Sequence, residues 1–282
     1  MPNFCDYIYD TREKELKHMK KLFLSALLLM LCLLPACGRP AVEPAASPAP
    51  SPSPTPIHTP MPTPEAAEAP ALENAWGSAL IINVSEGGLI VLLDDPNGTA
   101  RMPMPDKIGF ASEELGTELL PGMTVELAGI GGGILLTSPA QINPSELMAV
   151  SYDGGLINLY REMLCELEGR SPELDEGTGF ICIDLHNAAN LPFGAGGAIT
   201  WCAGLWFSRD VLSGTLGWLN DNGYLSGPNL HWKDGVFIEL RTEDVTEDSF
   251  TLICTKQRSR EEKLCMTVKA EKSDGLWTWR EA

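Results

Sequence analysis

A proline-rich stretch from Gly38 to Leu72 constrains the fold of this 282-residue chain more than any other feature. It holds eleven of the 22 prolines, and in residues 51–56 proline takes every second position. Proline fixes φ and lacks a backbone donor, so neither helix nor sheet is expected there. We predict that residues 37–72 form a disordered, extended tether and that residues 73–282 carry the folded part.

An apolar run precedes the tether. Residues 22–34 are mostly apolar and follow Lys20-Lys21, a pattern typical of an export signal. The run has 13 residues, whereas a membrane-spanning helix needs about 20. It ends in Leu34-Pro35-Ala36-Cys37, which resembles the lipobox of bacterial lipoproteins. The resemblance implies a signal peptide over 1–36, cleavage before Cys37, diacylglycerol on the Cys37 thiol and acylation of the new N-terminus.

Two alternatives stay open in this region. The apolar run is also compatible with a short buried helix that carries a cysteine by chance. Residues 1–18 have mixed charge, so they are either a long n-region or an extension ahead of a true start at Met19. A lipidated Cys37 would place the protein on the extracellular face of the cell membrane, because buried acyl chains anchor a protein stably.

The charge of the chain limits the classes of partner that it can bind. Its formal net charge is −18; residues 37–149 carry 3 Lys/Arg against 13 Asp/Glu, and residues 150–282 carry 12 against 21. An acidic surface repels phosphate backbones, so we expect no nucleic-acid partner. It also repels anionic lipid head groups, so membrane contact is expected through the lipid anchor.

Residues 73–149 are predicted to form a small OB-like β-barrel. Short apolar segments separated by glycine-rich turns predict about five strands, and the spacing over Ala111–Leu119 predicts one short helix before the fourth. Three segments, Gly77–Val84, Leu120–Glu126 and Ser138–Ile142, resemble the OB-like domain of uncharacterised Gram-positive lipoproteins. The resemblance implies a fold and a compartment but no activity.

Residues 150–282 are predicted to form an α+β domain. Helical spacing over 155–168, 198–206 and 215–222 is followed by four alternating segments between 236 and 279. The tryptophan-rich segment 198–206 is also compatible with a strand. Helices followed by a meander favour helices packed on one face of an antiparallel sheet. The segments around Asp184, Tyr224, Trp232 and Trp277 resemble the C-terminal domain of other uncharacterised exported Gram-positive proteins. Gln257 stands where those proteins tend to have tryptophan, which weakens any inherited role for that hairpin.

Few residues carry a recognisable catalytic pattern. The segment Gly129–Gly133 lacks the Lys of a phosphate loop, and neither Cys-x-x-Cys nor His-x-x-x-His occurs, so no cofactor and no metal are expected. Asp184 ends a predicted buried strand, where it either does chemistry or caps the following turn. His186 and His231 are the only histidines of the second unit. The cysteines of apolar segments, Cys182 among them, are expected to be buried, reduced and slow to react.

Aromatic and basic residues offer the other candidates. Six of the seven tryptophans lie in the second unit, where they either fill the core or stack on sugar rings. Lys256, Arg258 and Arg260 form either a solvated strand end or a docking spot for an acidic partner. We expect partner contacts at a seam between the two units, with Tyr224, Trp232 and Arg258 as the candidates.

Taken together, the sequence favours a membrane-anchored surface lipoprotein whose second unit is a non-catalytic binding or structural module at the cell wall. Its partner would be a wall glycan or another extracellular protein. The alternative is a hydrolase that acts on a wall component through Asp184 or His231.

Overall fold

The computed structural model describes Leu72, Leu135 and residues 75–94, 98–130 and 137–282. The predicted signal peptide, the lipidation site Cys37 and the tether lie outside these residues. Described elements are numbered here in chain order. The strands are β1 Ala75–Ser85, β2 Gly88–Leu93, β3 Thr99–Met102, β4 Lys107–Phe110, β5 Met123–Ala128, β6 Ala140–Gln141, β7 Glu146–Tyr152, β8 Phe180–Asp184, β9 Asp210–Ser213, β10 Gly235–Glu243, β11 Ser249–Gln257, β12 Lys263–Ser273 and β13 Leu276–Glu281. The α-helices are α1 Leu156–Gly169, α2 Ala195–Phe207 and α3 Leu216–Asp221.

The first seven strands form one mixed sheet in the order β4-β7-β5-β1-β2-β3-β6. Both edge strands pair in parallel, β4 with β7 and β6 with β3, and the inner pairs are antiparallel. The sheet is not closed into a barrel. The predicted OB-like barrel is therefore wrong. The predicted helix over 111–119 is reduced to a 3₁₀ turn at Glu113–Leu115.

The second sheet has the order β13-β12-β11-β10-β8-β9. Strands β10 to β13 follow one another as antiparallel neighbours, but β8 pairs in parallel with both β10 and β9. The protein is mostly β, with two mixed sheets, so the predicted α+β class is also wrong. Alternation locates strands but does not reveal the direction of their partners, which explains the error.

Helices cover one face of the second sheet. Apolar side chains of α1 and α2 pack on Ile181 and Ile183 of β8 and on alternate residues of β10 and β11. The same core takes in Ile82 of β1 and Ile90 of β2, because α2 lies against both strands of the first sheet. Trp206 Nε1 of α2 donates to Asn83 Oδ1 of β1 over 3.1 Å in a buried position. Helix α2 therefore joins the two sheets.

The opposite face of the second sheet carries a smaller cluster. Successive side chains of a strand point to opposite faces, so Cys182 of β8 and Phe237 of β10 face away from α1 and α2. They pack with Leu219 of α3 and with Trp232. Since β8 is covered on both faces, its residues 181–184 form the continuous buried run expected of an inner parallel strand.

Candidate functional site

A cleft opens where the parallel strands β8 and β9 end. The chain leaves β8, forms α2, returns as β9 beside β8, and then crosses to β10 on the other side of β8. Open sheets with such a reversal of strand order bind ligands outside the carboxyl ends of their strands. The cleft here has a volume of about 420 Å³. Its polar lining includes Asp184, His186, Thr200, Ser213 and Thr215, and we call it the Asp184 cleft.

Asp184 is the charged group at the base of the cleft. The residue is only 5% exposed, and its Oδ1 accepts hydrogen bonds from the His186 backbone N at 3.1 Å and from His186 Nδ1 at 2.5 Å. Because a carboxylate accepts, His186 carries its proton on Nδ1 and leaves Nε2 as an acceptor when neutral. The Oδ2 atom of Asp184 makes no hydrogen bond to the described residues. This oxygen is not one of the buried polar atoms that lack a hydrogen-bond partner in the described residues, so it is open to the cleft, where water or a ligand can reach it.

The first turn of α2 forms another wall. Gly194 precedes the helix with a φ of 82°, and no side chain caps the helix. The Ala195 N–H donates to Pro192 O at 3.0 Å, whereas the N–H groups of Gly196 and Gly197 have no backbone acceptor among the described residues. Free N–H groups are normal at the start of a helix and require a cap, water or ligand. Both glycines line the cleft, and the unpaired N–H groups of a first helical turn point out of the N-terminal end of the helix.

Thr200 completes this wall one turn further along. It is 4% exposed and lines the cleft, and its hydroxyl makes no hydrogen bond to the described residues. Helical side chains lean toward the N-terminus of their helix, so the Thr200 side chain points toward the turn of Gly196 and Gly197. Asp184 and Thr200 are therefore two buried polar side chains directed at the same cleft.

Phe193 stands at the rim of the cleft with its side chain fully exposed. Its loop is tied down at the base: Thr242 N donates to Asn187 O at 3.1 Å, and Ala189 N donates to Thr242 Oγ1 at 2.9 Å. Tyr160 of α1 donates from its hydroxyl to Asn190 Oδ1 at 2.5 Å. An exposed phenyl ring on an anchored loop is a preformed apolar surface beside the polar cleft.

The three residues expected to contact a partner lie together and do not line the Asp184 cleft. The ring of Tyr224 stacks on Trp218 at 5.7 Å and meets the edge of Trp232 at 5.9 Å. Arg258 donates to the carbonyl oxygens of Trp232, Lys233 and Glu176. Trp232 is buried and Tyr224 is exposed. They lie on the α3 side of the second sheet, whereas α2 on the other side makes the contact between the sheets.

The remaining candidates are dispersed. His231 Nδ1 lies 3.6 Å from Glu262 Oε2, outside the Asp184 cleft. Lys256 is fully buried, so it belongs to neither a solvated strand end nor a docking spot. No disulfide joins the cysteines of the described residues: Cys165, Cys182, Cys202 and Cys254 are buried, and Cys265 is exposed. No cluster of three or more His, Cys, Asp or Glu side chains that could hold a metal occurs in the described part of the chain.

The sequence indicated part of this cleft. Asp184 was a candidate and His186 was noted only as one of the two histidines of the second unit, whereas Gly196, Gly197 and Thr200 were not recognised. A signal was present in residues 192–197, Pro-Phe-Gly-Ala-Gly-Gly, which follow a buried strand that ends in Asp and begin a helix. Small residues at a helix start after a strand allow a ligand to approach the backbone closely.

Comparisons of the chain with protein-family models, with curated proteins and with solved structures returned no match. The resemblance to domains of Gram-positive lipoproteins therefore stays a prediction. No helix within the described ranges is long and apolar enough to cross a membrane. What the described residues define is a protein of two mixed sheets with a polar cleft at the ends of its parallel strands.

Proposed function

We propose that this chain is a lipid-anchored surface protein that binds a cell-wall glycan in the Asp184 cleft and does not turn it over. The observation that carries the proposal is the buried Asp184 carboxylate, whose free Oδ2 shares a cleft with the free N–H groups of α2. A ligand must offer both donors and acceptors to form hydrogen bonds with the Asp184 carboxylate and with the N–H groups of α2. Hydroxyl groups do both, and a sugar carries several of them.

The rim supports a carbohydrate as well. Phe193 offers an exposed ring on a fixed loop, and the apolar C–H face of a sugar can stack on such a ring. The formal charge of −18 disfavours polyanionic ligands. A neutral polysaccharide is therefore the wall component that fits best.

Binding without turnover is favoured because titratable groups are scarce in the cleft. Its lining holds Asp184 as the one carboxylate and His186 as the one histidine. Glycoside hydrolysis normally uses two carboxylates on either side of the scissile bond. The described cleft has one, which suits recognition better than cleavage.

Co-sedimentation of the full chain with insoluble wall glycan tests the proposal. Saturable binding is expected, and Asp184→Ala should weaken it by at least about tenfold, because the ligand loses the Asp184 carboxylate as an acceptor. Asp210→Ala, which removes an exposed carboxylate at the start of β9, is the matched control and should bind like the parent. Binding that Asp184→Ala leaves unchanged would show that the cleft is not the site.

A hydrolase remains the second candidate because Asp184 holds His186 by a 2.5 Å hydrogen bond. A carboxylate that orients a histidine is the arrangement of a general base, and His186 Nε2 could take a proton from an attacking water. Release of soluble fragments is measured on the same wall material. Turnover that His186→Ala abolishes in a folded protein would favour the hydrolase over the binding module.

The anchor needs its own test, since Cys37 lies outside the described residues. Cys37→Ser removes the thiol that would carry the lipid, so the variant should leave the membrane fraction or keep its leader. Fractionation and mass measurement distinguish these outcomes. A variant that is processed and membrane-bound like the parent would refute lipidation at Cys37.

A further inference from the structure

We infer that the group recognised in the Asp184 cleft is an acylamino group, –NH–CO–, on a neutral N-acetylated amino sugar. The inference rests on the proposed function and narrows its ligand from any wall glycan to one with acetylated amines. It follows from three kinds of polar group in the lining of the cleft: the backbone donors at the start of α2, the Asp184 carboxylate and the hydroxyl groups, that of Thr200 among them.

The backbone donors call for an acceptor. Gly196 and Gly197 present N–H groups at the start of α2, a helix of 13 residues, and the helix dipole adds a partial positive charge there. A helix start of this kind often binds phosphate, sulfate or carboxylate. The identity of the acceptor therefore depends on what else lines the cleft.

Asp184 opposes an anion at this position. Its carboxylate is buried and faces the same cleft, and the described lining contains neither Lys nor Arg to offset a second negative charge. Like charges that share a poorly solvated site repel strongly. A neutral carbonyl oxygen accepts from the two N–H groups without that repulsion, so the acceptor is assigned as a carbonyl.

Asp184 also requires a donor on the ligand. Its Oδ2 has no partner among the described residues and is open to the cleft, so a ligand that covers this oxygen must supply a donor in place of the water it displaces. An acylamino group supplies an N–H donor beside its carbonyl acceptor, on one rigid plane. The Thr200 hydroxyl, also free, can donate to the same carbonyl or accept from a sugar hydroxyl.

Peptides contain the same –NH–CO– group, and two features favour the sugar. Phe193 is fully exposed beside the cleft, which suits stacking on a pyranose ring. The hydroxyls of Thr200 and Ser213 and the Nε2 atom of His186 add polar groups around the cleft, and these match the hydroxyls of a sugar. A peptide backbone would leave several of them unpaired.

Calorimetric titration of the full chain with soluble oligomers provides the test. Oligomers of N-acetylglucosamine are compared with the matching β-linked oligomers of glucose, which carry a hydroxyl in place of the acylamino group. We expect the acetylated oligomer to bind at least about tenfold more tightly than the glucose oligomer. The glucose oligomer lacks the carbonyl and the N–H that would pair with the polar groups of the cleft. Equal affinity for the two would overturn the inference and leave glycan binding intact.

Two further ligands distinguish the alternative explanations of binding. Tighter binding of deacetylated glucosamine oligomers would mean that Asp184 pairs with a ligand cation. Preferential binding of an acetylated short peptide would mean that the cleft is a peptide site. Either result overturns the inference. Absence of binding to every sugar oligomer would overturn the proposed function together with it. The two proposals can therefore fail separately.

A pair of matched variants localises the effect to the cleft. A Cβ at Gly197 would meet no protein atom within 4 Å, so Gly197→Ala preserves the fold and places a methyl group in the cleft. Gly204→Ala makes the same change two turns later in α2, where the methyl would touch Arg209 and Val211 in ordinary contact. Gly197→Ala should weaken binding of the acetylated oligomer about tenfold, and Gly204→Ala should not. Equal affinity of both variants and the parent would overturn the assignment.

Discussion

The ammonium group of Lys256 on β11 lies 2.5 Å from Oδ2 of Asp175, and the lysine side chain is fully buried. Lys256 also donates to the carbonyl oxygens of Glu168 and Arg170, at 3.1 Å each. Arg209 joins the same network through Glu168 Oε1 at 2.7 Å and Asp175 Oδ1 at 3.2 Å. Two cations and two carboxylates thus balance one another where α1 ends and β9 begins.

Removing the buried cation should be costly. Lys256→Met keeps most of the length and the apolar stem of the side chain but leaves Oδ2 of Asp175 and two backbone carbonyls without the donor that Lys256 provides. We expect a loss of about 3–5 kcal/mol in the free energy of unfolding, measured by urea titration. Lys107→Met breaks the exposed 3.9 Å pair with Glu146 and should cost less than about 1 kcal/mol. Similar losses for the two variants would contradict the role of the buried network.

Glu168 gives the network a pH dependence. Burial, and then repulsion by Asp175, raises the pKa of the Glu168 carboxyl, although Lys256 and Arg209 act against this. Because the pKa is higher in the folded state, this group contributes stability at low pH that is lost as the pH rises through the folded-state pKa. Between about pH 4 and 7, Glu168→Gln should therefore gain stability relative to the parent as the pH rises.

Glu281 provides a control of opposite sign for this measurement. A hydrogen bond from Arg170 lowers the pKa of its carboxyl, so its contribution is present at higher pH and is lost as the pH falls. Glu281→Gln should lose stability relative to the parent as the pH rises. If the stability of both variants relative to the parent changed in the same direction as the pH rises, the pH dependence would have another origin.

The start of helix α1 depends on Asp153. Its Oδ1 accepts from the backbone N–H groups of Gly155 at 2.7 Å and Leu156 at 3.0 Å, and its Oδ2 accepts from Ile157 at 3.2 Å. Asp153→Ala should lower the free energy of unfolding by about 1–2 kcal/mol, because these N–H groups lose their cap. Asp153→Asn keeps one acceptor and should lose less; thermal unfolding of the two variants checks the order.

The cysteines should differ sharply in their reaction with an alkylating reagent. Burial raises the pKa of the thiols of Cys182, Cys202 and Cys254 to about 12, and the charge of Asp184 adds to this at Cys182. Since the thiolate is the reactive form, these three should react only on unfolding, whereas exposed Cys265 should react quickly. Mass spectrometry without reductant follows the modification. Two stoichiometric disulfides would contradict this description.

The sequence located elements better than it arranged them. Helical spacing over 155–168 and alternation over 236–279 mark α1 and strands β10 to β13, because burial on one face leaves a period in the sequence. The four-residue strands β4 and β9 carry too short a pattern to be recognised. The parallel partners of β8 come from distant parts of the chain, so no local pattern encodes them. For this reason the predicted fold class was wrong.

The candidate site shows the same limit. Asp184 was recognisable as a polar residue at the end of an apolar strand. The free N–H groups of Gly196 and Gly197 arise because the helix starts there. The two glycines in the sequence do not by themselves indicate a helix start. Thr200 looks like an ordinary helix residue until the fold places it in the wall of the cleft.

The most direct test of ligand binding in the Asp184 cleft is a titration followed by amide NMR. The isotopically labelled full chain is titrated with oligomers of N-acetylglucosamine while backbone N–H resonances are recorded. Hydrogen bonds from the first turn of α2 predict saturable shifts at Gly196 and Gly197, with smaller shifts at Phe193 and His186. Saturable shifts confined to the Tyr224 and Trp232 cluster, with Gly196 and Gly197 unchanged, would contradict the account.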